Sequence, residues 1–284
     1  MGKMIETADP VWERLSRDLK KASALLSRDE ARFLVDYYYT VQDNRIRLDN
    51  QIRALDKSEE PHALLDWMLR NANATERDVK LALDVYSANH TAGQWARNQV
   101  GVGPVLAAGL LAHIDPEKAT TAGKVWRFAG LDPTSKWGKG EKRPWNAALK
   151  VLCWKLGVSF MKTHNRDGAY YGQAYKRRKE LEIARNEAGD NAEWAAHILE
   201  EKNWKKDNIT RRAYESGKLP AAQVDARARR WAVKLFLSHF QQVLFESTFK
   251  KQAPKPWIIA FGGHVDYLEP PGWAPLLGSS IEKA

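Results

Sequence analysis

Apolar positions recur at helical rather than strand spacing along almost the whole chain. Leu34, Tyr38, Val41, Arg45, Leu48, Ile52 and Leu55 step alternately by four and three, a heptad seam over three repeats whose only polar member is Arg45. Such a stripe has to be covered by another helix. Its cover is either the second arm of an antiparallel pair within the chain or the same helix of a second chain. Upstream, Trp12, Leu15, Leu19, Leu25 and Leu26 predict a helix over 11–26. Downstream, a helical pattern over 61–86 (Leu64, Leu65, Met68, Leu69, then Val79, Leu81, Leu83) is interrupted at 71–74, with Thr75 and Asp78 suited to a new start. The strongest amphipathic pattern is 221–249, with Val224, Ala228, Trp231, Ala232, Leu235, Phe236, His239, Val243 and Leu244 on one broad face. Shorter helices are predicted over 120–128 and 145–160, and charged ones over 175–187 and 194–204. No alternating strand series emerges, and from Pro254 the chain is rich in Pro and Gly. The pattern predicts a mainly α fold.

Between two of these helices lies Val100-Gly101-Val102-Gly103-Pro104. Glycines one residue apart let the backbone turn through positive φ and leave peptide N–H groups uncovered. Pro104 suits the first position of a helix, whose N-terminal amides and dipole favour an anion. The element resembles the helix-hairpin-helix that grips DNA backbones without reading bases. The plain alternative is a turn between two core helices. The expected organisation is a coiled-coil helix arm (1–90), a helix-hairpin-helix domain (91–160), a C-terminal helical extension (161–253) and a Pro/Gly-rich tail (254–284).

Charge sharpens the picture. The 284 residues carry a net charge of +10, which favours a polyanionic partner. From Lys124 to Lys179 there are fourteen Lys and Arg against only Asp132, Glu141 and Asp167, so the excess is one block just downstream of the glycine hairpin. Within it, 130–144 lacks periodicity and reads as an exposed basic loop. A single cysteine, Cys153, excludes an internal disulfide and fits a core thiol, so the chain reads as intracellular and, if it binds DNA, nucleoid-associated in the cytoplasm. No apolar run is long enough for a bilayer, so no membrane partner is expected.

The order Val100-Gly101-Val102-Gly103-Pro104, Leu110-Leu111-Ala112, Phe128-Ala129-Gly130-Leu131-Asp132-Pro133 and Gly138-Lys139 resembles the C-terminal domain of the IS110/IS116/IS902 transposase family over about residues 30–160. The heptad seam is similar to the coiled coil that precedes that domain. The resemblance implies DNA binding and places Ser135, by position, where the family carries a serine that attacks DNA. The family's RuvC-like nuclease domain, with its metal-binding carboxylates, has no counterpart here. No cofactor is evident, and Mg2+ would enter only if a partner supplied that nuclease site.

The leading expectation is a DNA-binding protein. The Gly101, Val102, Gly103 and Pro104 corner would hold a phosphate, Lys124, Arg127, Lys136, Lys139, Lys142 and Arg143 would follow the strand, and Arg177, Arg178 and Lys179 would extend the track. Of twelve tryptophans, Trp137 and Trp145 flank the basic loop, suited either to stack on a base or to pack on a helix; Trp12, Trp154 and Trp231 read as core. The alternatives are a serine-dependent recombinase using Ser135 with a partner's metal site, and an assembly protein whose basic face binds RNA or packaged nucleic acid. A homo-oligomer through the heptad helix is expected in the first reading. His264 and Asp266 are too few for a metal site, and His197 and His239 read as structural.

Overall fold

The computed structural model describes residues 14–58, 63–204, 207–263 and 266–274. It is mainly helical, with no strand among the described residues. A short helix, α1 (Arg17–Ala22), leads through a 3-10 turn into α2 (Arg28–Asp56), and α3 (Ala63–Ala88) returns alongside it. Ser27 and Glu30 close a reciprocal capping box at the start of α2.

The heptad stripe is therefore covered from within the chain. Ala31, Val35, Tyr38, Val41 and Ile52 are buried, and Arg45 forms an ion pair with Glu76 of α3. Burial pushes the Glu76 carboxyl up, but hydrogen bonds from Arg45, Gln42 and Tyr38 outweigh it and hold it below its ordinary range. The expected oligomer through this stripe is corrected accordingly: α3 already occupies the surface a second chain would need. The interruption expected at 71–74 is also absent. Asn73 donates to the Leu69 carbonyl and Thr75 to that of Asn71, so α3 absorbs both polar side chains by back-bonding one turn. Leu19 and Leu25 are exposed rather than packed, so residues 17–25 are helical without the expected apolar burial.

The glycine hairpin joins α4 (Thr91–Arg97) to α5 (Pro104–His113), with Pro104 at the first helical position. After α6 (Ala122–Phe128), capped by Thr121, Gly130 takes φ +66° and the basic loop runs irregularly to α7 (Ala147–Thr163). There Leu149, Leu152, Cys153, Leu156 and Phe160 are buried as expected, and Cys153 is a core thiol whose pKa burial raises to about 12. Trp154 is the exception: it points outward, 61% exposed, because it lies off that face.

α8 (Tyr170–Glu187) begins earlier than its charged pattern suggests, and takes in Gly172, where the His164 backbone passes too close for a Cβ. α9 (Ala192–Glu201) and α10 (Ile209–Glu215) form a small satellite with the start of α11 (Ala221–Phe249), around Ile198, Tyr214, Leu219 and Val224. α11 runs through the core, burying Phe236, Leu237, Phe240 and Val243. His239 within it is structural, donating or accepting between the Tyr171 hydroxyl (2.8 Å) and the Leu268 carbonyl (2.9 Å). One hydrophobic cluster contains residues from Ala31 to Leu244, so the boundaries expected at 90 and 160 cut through a shared core.

After a single turn, α12 (Trp257–Ala260), residues 267–273 lie back across α4 and α11. Trp95 Nε1 donates to Pro271 O at 2.9 Å, and Trp273 Nε1 donates to the buried Glu246 at 2.7 Å. His264 falls outside the described residues, as does Trp12. No helix among the described residues is long and apolar enough to cross a membrane.

Candidate nucleic-acid interface

The glycine corner has the expected local shape. Gly101 adopts φ +98°, Val102 is buried as the pin of the turn, and Gly103 is the N-cap of α5 with open space where a Cβ would stand. Gly103 offers no side chain to the first turn of α5, so its leading amides keep the unpaired donors of an uncapped helix start. Gly101 faces inward. Its carbonyl accepts from the Ser159 hydroxyl at 2.6 Å, and Phe160 and Thr163 stand against its Cα.

Those contacts place the corner at the C-terminal end of α7, whereas the basic loop attaches at the N-terminal end. Asn146 donates its amide to Phe128 O, and Lys150 and Trp145 enclose Gly130. From Lys150 to Phe160 or Thr163 is about 15–20 Å at 1.5 Å per residue. Corner and loop are thus two separate points along α7 and not one phosphate site.

What the fold gathers around the loop is a surface of cations on indoles. Arg143 lies over Trp137 (5.1 Å), Lys150 over Trp145 (4.0 Å), Lys234 over Trp126 (4.4 Å) and Arg178 over Trp231 (5.7 Å). Trp137 and Trp145 meet edge to face, so both pack on each other while Trp137 remains 41% exposed. Beside them a groove of about 220 Å³ between α7 and α11 is lined by Lys150, Trp154, Arg229 and Arg230. Arg230 and Lys234 are i, i+4 on α11, and Arg227 precedes Arg230 by three, so one face of the helix delivers them together.

The electrostatics record the crowding. Burial and then the neighbouring Arg143 and Arg230 lower the Lys150 pKa. Burial, Arg227 and Arg229 lower that of Arg230, against a smaller opposing pull from Glu182; burial lowers that of Lys234, with Asp132 pulling it up and Arg230 pushing it down more weakly. Cations that disfavour one another's charge are relieved by an anion, and phosphate supplies one.

The other expected contacts divide. Lys136, Lys139 and Lys142 are exposed on the loop, and Lys124 and Arg127 are exposed on α6. Arg178 and Lys179 are committed within the protein: Arg178 pairs with Glu182 one turn along α8 and lies over Trp231, and Lys179 pairs across to Asp225 of α11 at 3.0 Å, so neither is the free phosphate contact expected. Arg177 stands instead near Tyr170, at the start of α8. Arg230 and Lys234 lie outside the basic stretch 124–179, and their i, i+4 spacing on 221–249 is the signal that points to them; Lys150 lies inside that stretch, on the helical pattern that follows the loop.

Ser135 sits inside the loop with an enclosed Oγ that has no hydrogen-bond partner. Asp132, the nearest carboxylate in sequence, is held below its ordinary pKa by the Thr134 amide and hydroxyl, and so turns the chain instead of facing Ser135 as a base. No group of three or more His, Cys, Asp or Glu is placed to hold a metal among the described residues. No family model, curated protein or solved structure matches the chain.

Proposed function

We propose that the protein binds nucleic acid through the cation–indole surface formed by the 130–146 loop, the first turns of α7 and the middle of α11, with the open start of α5 as a second backbone contact. The observation that carries this reading is the gathering of Arg143, Lys150 and Lys234 over the rings of Trp137, Trp145 and Trp126, with the Arg230 guanidinium close enough to lower the Lys150 pKa. Arg229 and Arg227 are paired with Asp225 and Glu182, and Asp132 stands near Lys234, so the surface offers Arg143, Lys150 and Arg230 beside flat apolar rings. The contacts are of the positioning kind, holding backbone without reading base edges. This agrees with the resemblance to the IS110-type transposase C-terminal domain, and duplex DNA is the proposed ligand.

The test places duplex DNA, single-stranded DNA and RNA side by side in filter binding with the full chain. Charge reversal at Lys139, Lys142 and Arg143, and separately at Lys150 and Arg230, abolishes binding while the helical circular dichroism persists. Unchanged duplex binding in both variants refutes the reading. RNA preferred over duplex by about tenfold at equal salt would favour the assembly role instead.

A further inference from the structure

A second cleft lies between the first turn of α2, the end of α5 and α6. It encloses about 670 Å³ and its lining includes Arg28, Arg32, Lys124, Arg127, His113 and Phe128. That volume falls within the range of about 300–1,000 Å³ of small-molecule sites. Lys118 adds a further cation at the rim, and Asp29 and Asp115 are the carboxylates in the lining. Both are engaged: Asp29 pairs with Arg32, and Asp115 accepts from Arg28 at 2.9 Å and from the Glu117 amide at 3.1 Å. Asp115 therefore orients the Arg28 fork and does not fill the cleft. Lys124 is steadied by the Thr120 hydroxyl at 2.9 Å.

At the back of the cleft stands His113, 92% buried by its 8% exposure, whose Nδ1 has no hydrogen-bond partner. A buried ring nitrogen left unpaired costs free energy unless something occupies the space in front of it. The guanidinium and ammonium groups that share this lining, Arg28, Arg32, Lys124 and Arg127, select an anion. The ring of Phe128, 42% exposed, and Pro144 supply a flat apolar wall beside them.

We propose that this cleft binds a phosphomonoester carried on a nucleoside, with the phosphate on Lys124, Arg127 and the two guanidiniums, and the base against Phe128. The same chemistry has two sources, a free nucleoside monophosphate or the phosphorylated end of a strand. The inference does not rest on the nucleic-acid reading, since a free nucleotide needs no strand on the basic surface.

Calorimetric titration of the full chain uses AMP, adenosine, inorganic phosphate, and a short thymidylate strand with either a 5′-phosphate or a 5′-hydroxyl. The expected result is that AMP binds at least about tenfold more tightly than adenosine or phosphate alone. Lys124→Ala with Arg127→Ala, both exposed and so without cost to the core, weakens AMP by about tenfold or more. His113→Asn weakens it further. A preference of the 5′-phosphorylated strand over its 5′-hydroxyl form assigns the strand end as occupant; AMP binding without that preference assigns the free nucleotide. AMP and adenosine binding equally, or AMP binding untouched by the Lys124/Arg127 variant, overturns the proposal. The Lys150→Glu, Arg230→Glu variant separates the two readings. If it still binds AMP but the wild type never binds duplex, only the nucleic-acid reading fails; if duplex binds and AMP does not, only the cleft fails.

Discussion

Replacing Lys150 and Arg230 together by alanine gives the most discriminating test of the basic surface. Each cation that neutralises one phosphate of duplex DNA contributes about 0.9 to the slope of log affinity against log salt. Losing two should flatten that slope by about 1.8. At about 0.1 M salt the same loss is about 60-fold in affinity, or about 2.4 kcal/mol. Stability should move the other way or not at all. In the folded state burial and neighbouring cations depress the pKa values of both groups, so their charged forms are penalised at neutral pH relative to the unfolded chain. Removing them relieves that penalty and offsets the lost contact of Lys150 with Trp145, which is of the order of 0.5–1 kcal/mol. Fluorescence anisotropy with a labelled duplex, run as a salt series, reads the slope, and a thermal melt reads the fold. A slope unchanged within about 0.3, with an intact melt, refutes the assignment of these two residues to phosphate.

Three further outcomes follow from the packing. His239 is held neutral, its pKa pushed down by burial to about 4, so the unfolded chain binds the extra proton first. Stability present above about pH 6.5 is lost as pH falls towards 4, by up to about 3 kcal/mol, and melts at pH 7 and pH 4.5 should differ more in the wild type than in His239→Gln. Gly172→Ala puts a Cβ 2.7 Å from His164 Cα, and should cost about 1–3 kcal/mol in urea unfolding; a neutral result would show that α8 can move away from the α7–α8 turn. Glu246→Leu strips the acceptor from the Trp273 indole and the Ala253 amide, so limited proteolysis should cleave the tail faster while the helical signal is retained; equal cleavage rates would show the tail is held elsewhere.

Local periodicity made most of the helices legible from the residues alone. The faces of 147–163 and 221–249 follow directly from spacing, because each depends on neighbours within a few positions. The heptad stripe of α2 was equally plain, yet it demanded a partner without naming one. Only the return of α3, with Glu76 opposite Arg45, decided that the partner is in the same chain. The uninterrupted course of α3 through 71–74 has the same origin, since packing along α2 outweighs weak local stop signals.

The charge block similarly predicts a polyanionic partner as an expectation, because net charge is a sum that needs no coordinates. Where the cations stand is a different quantity. Lys150 and Arg230 are eighty residues apart in sequence and meet only because α7 and α11 cross near Gly157, where the absent side chain lets Arg229 and Val233 approach. The glycine corner and the loop, close in sequence, are held apart by the length of α7. Sequence determines which residues share a helix face; it is the crossing of helices that decides which faces share a surface, and binding chemistry depends on the second.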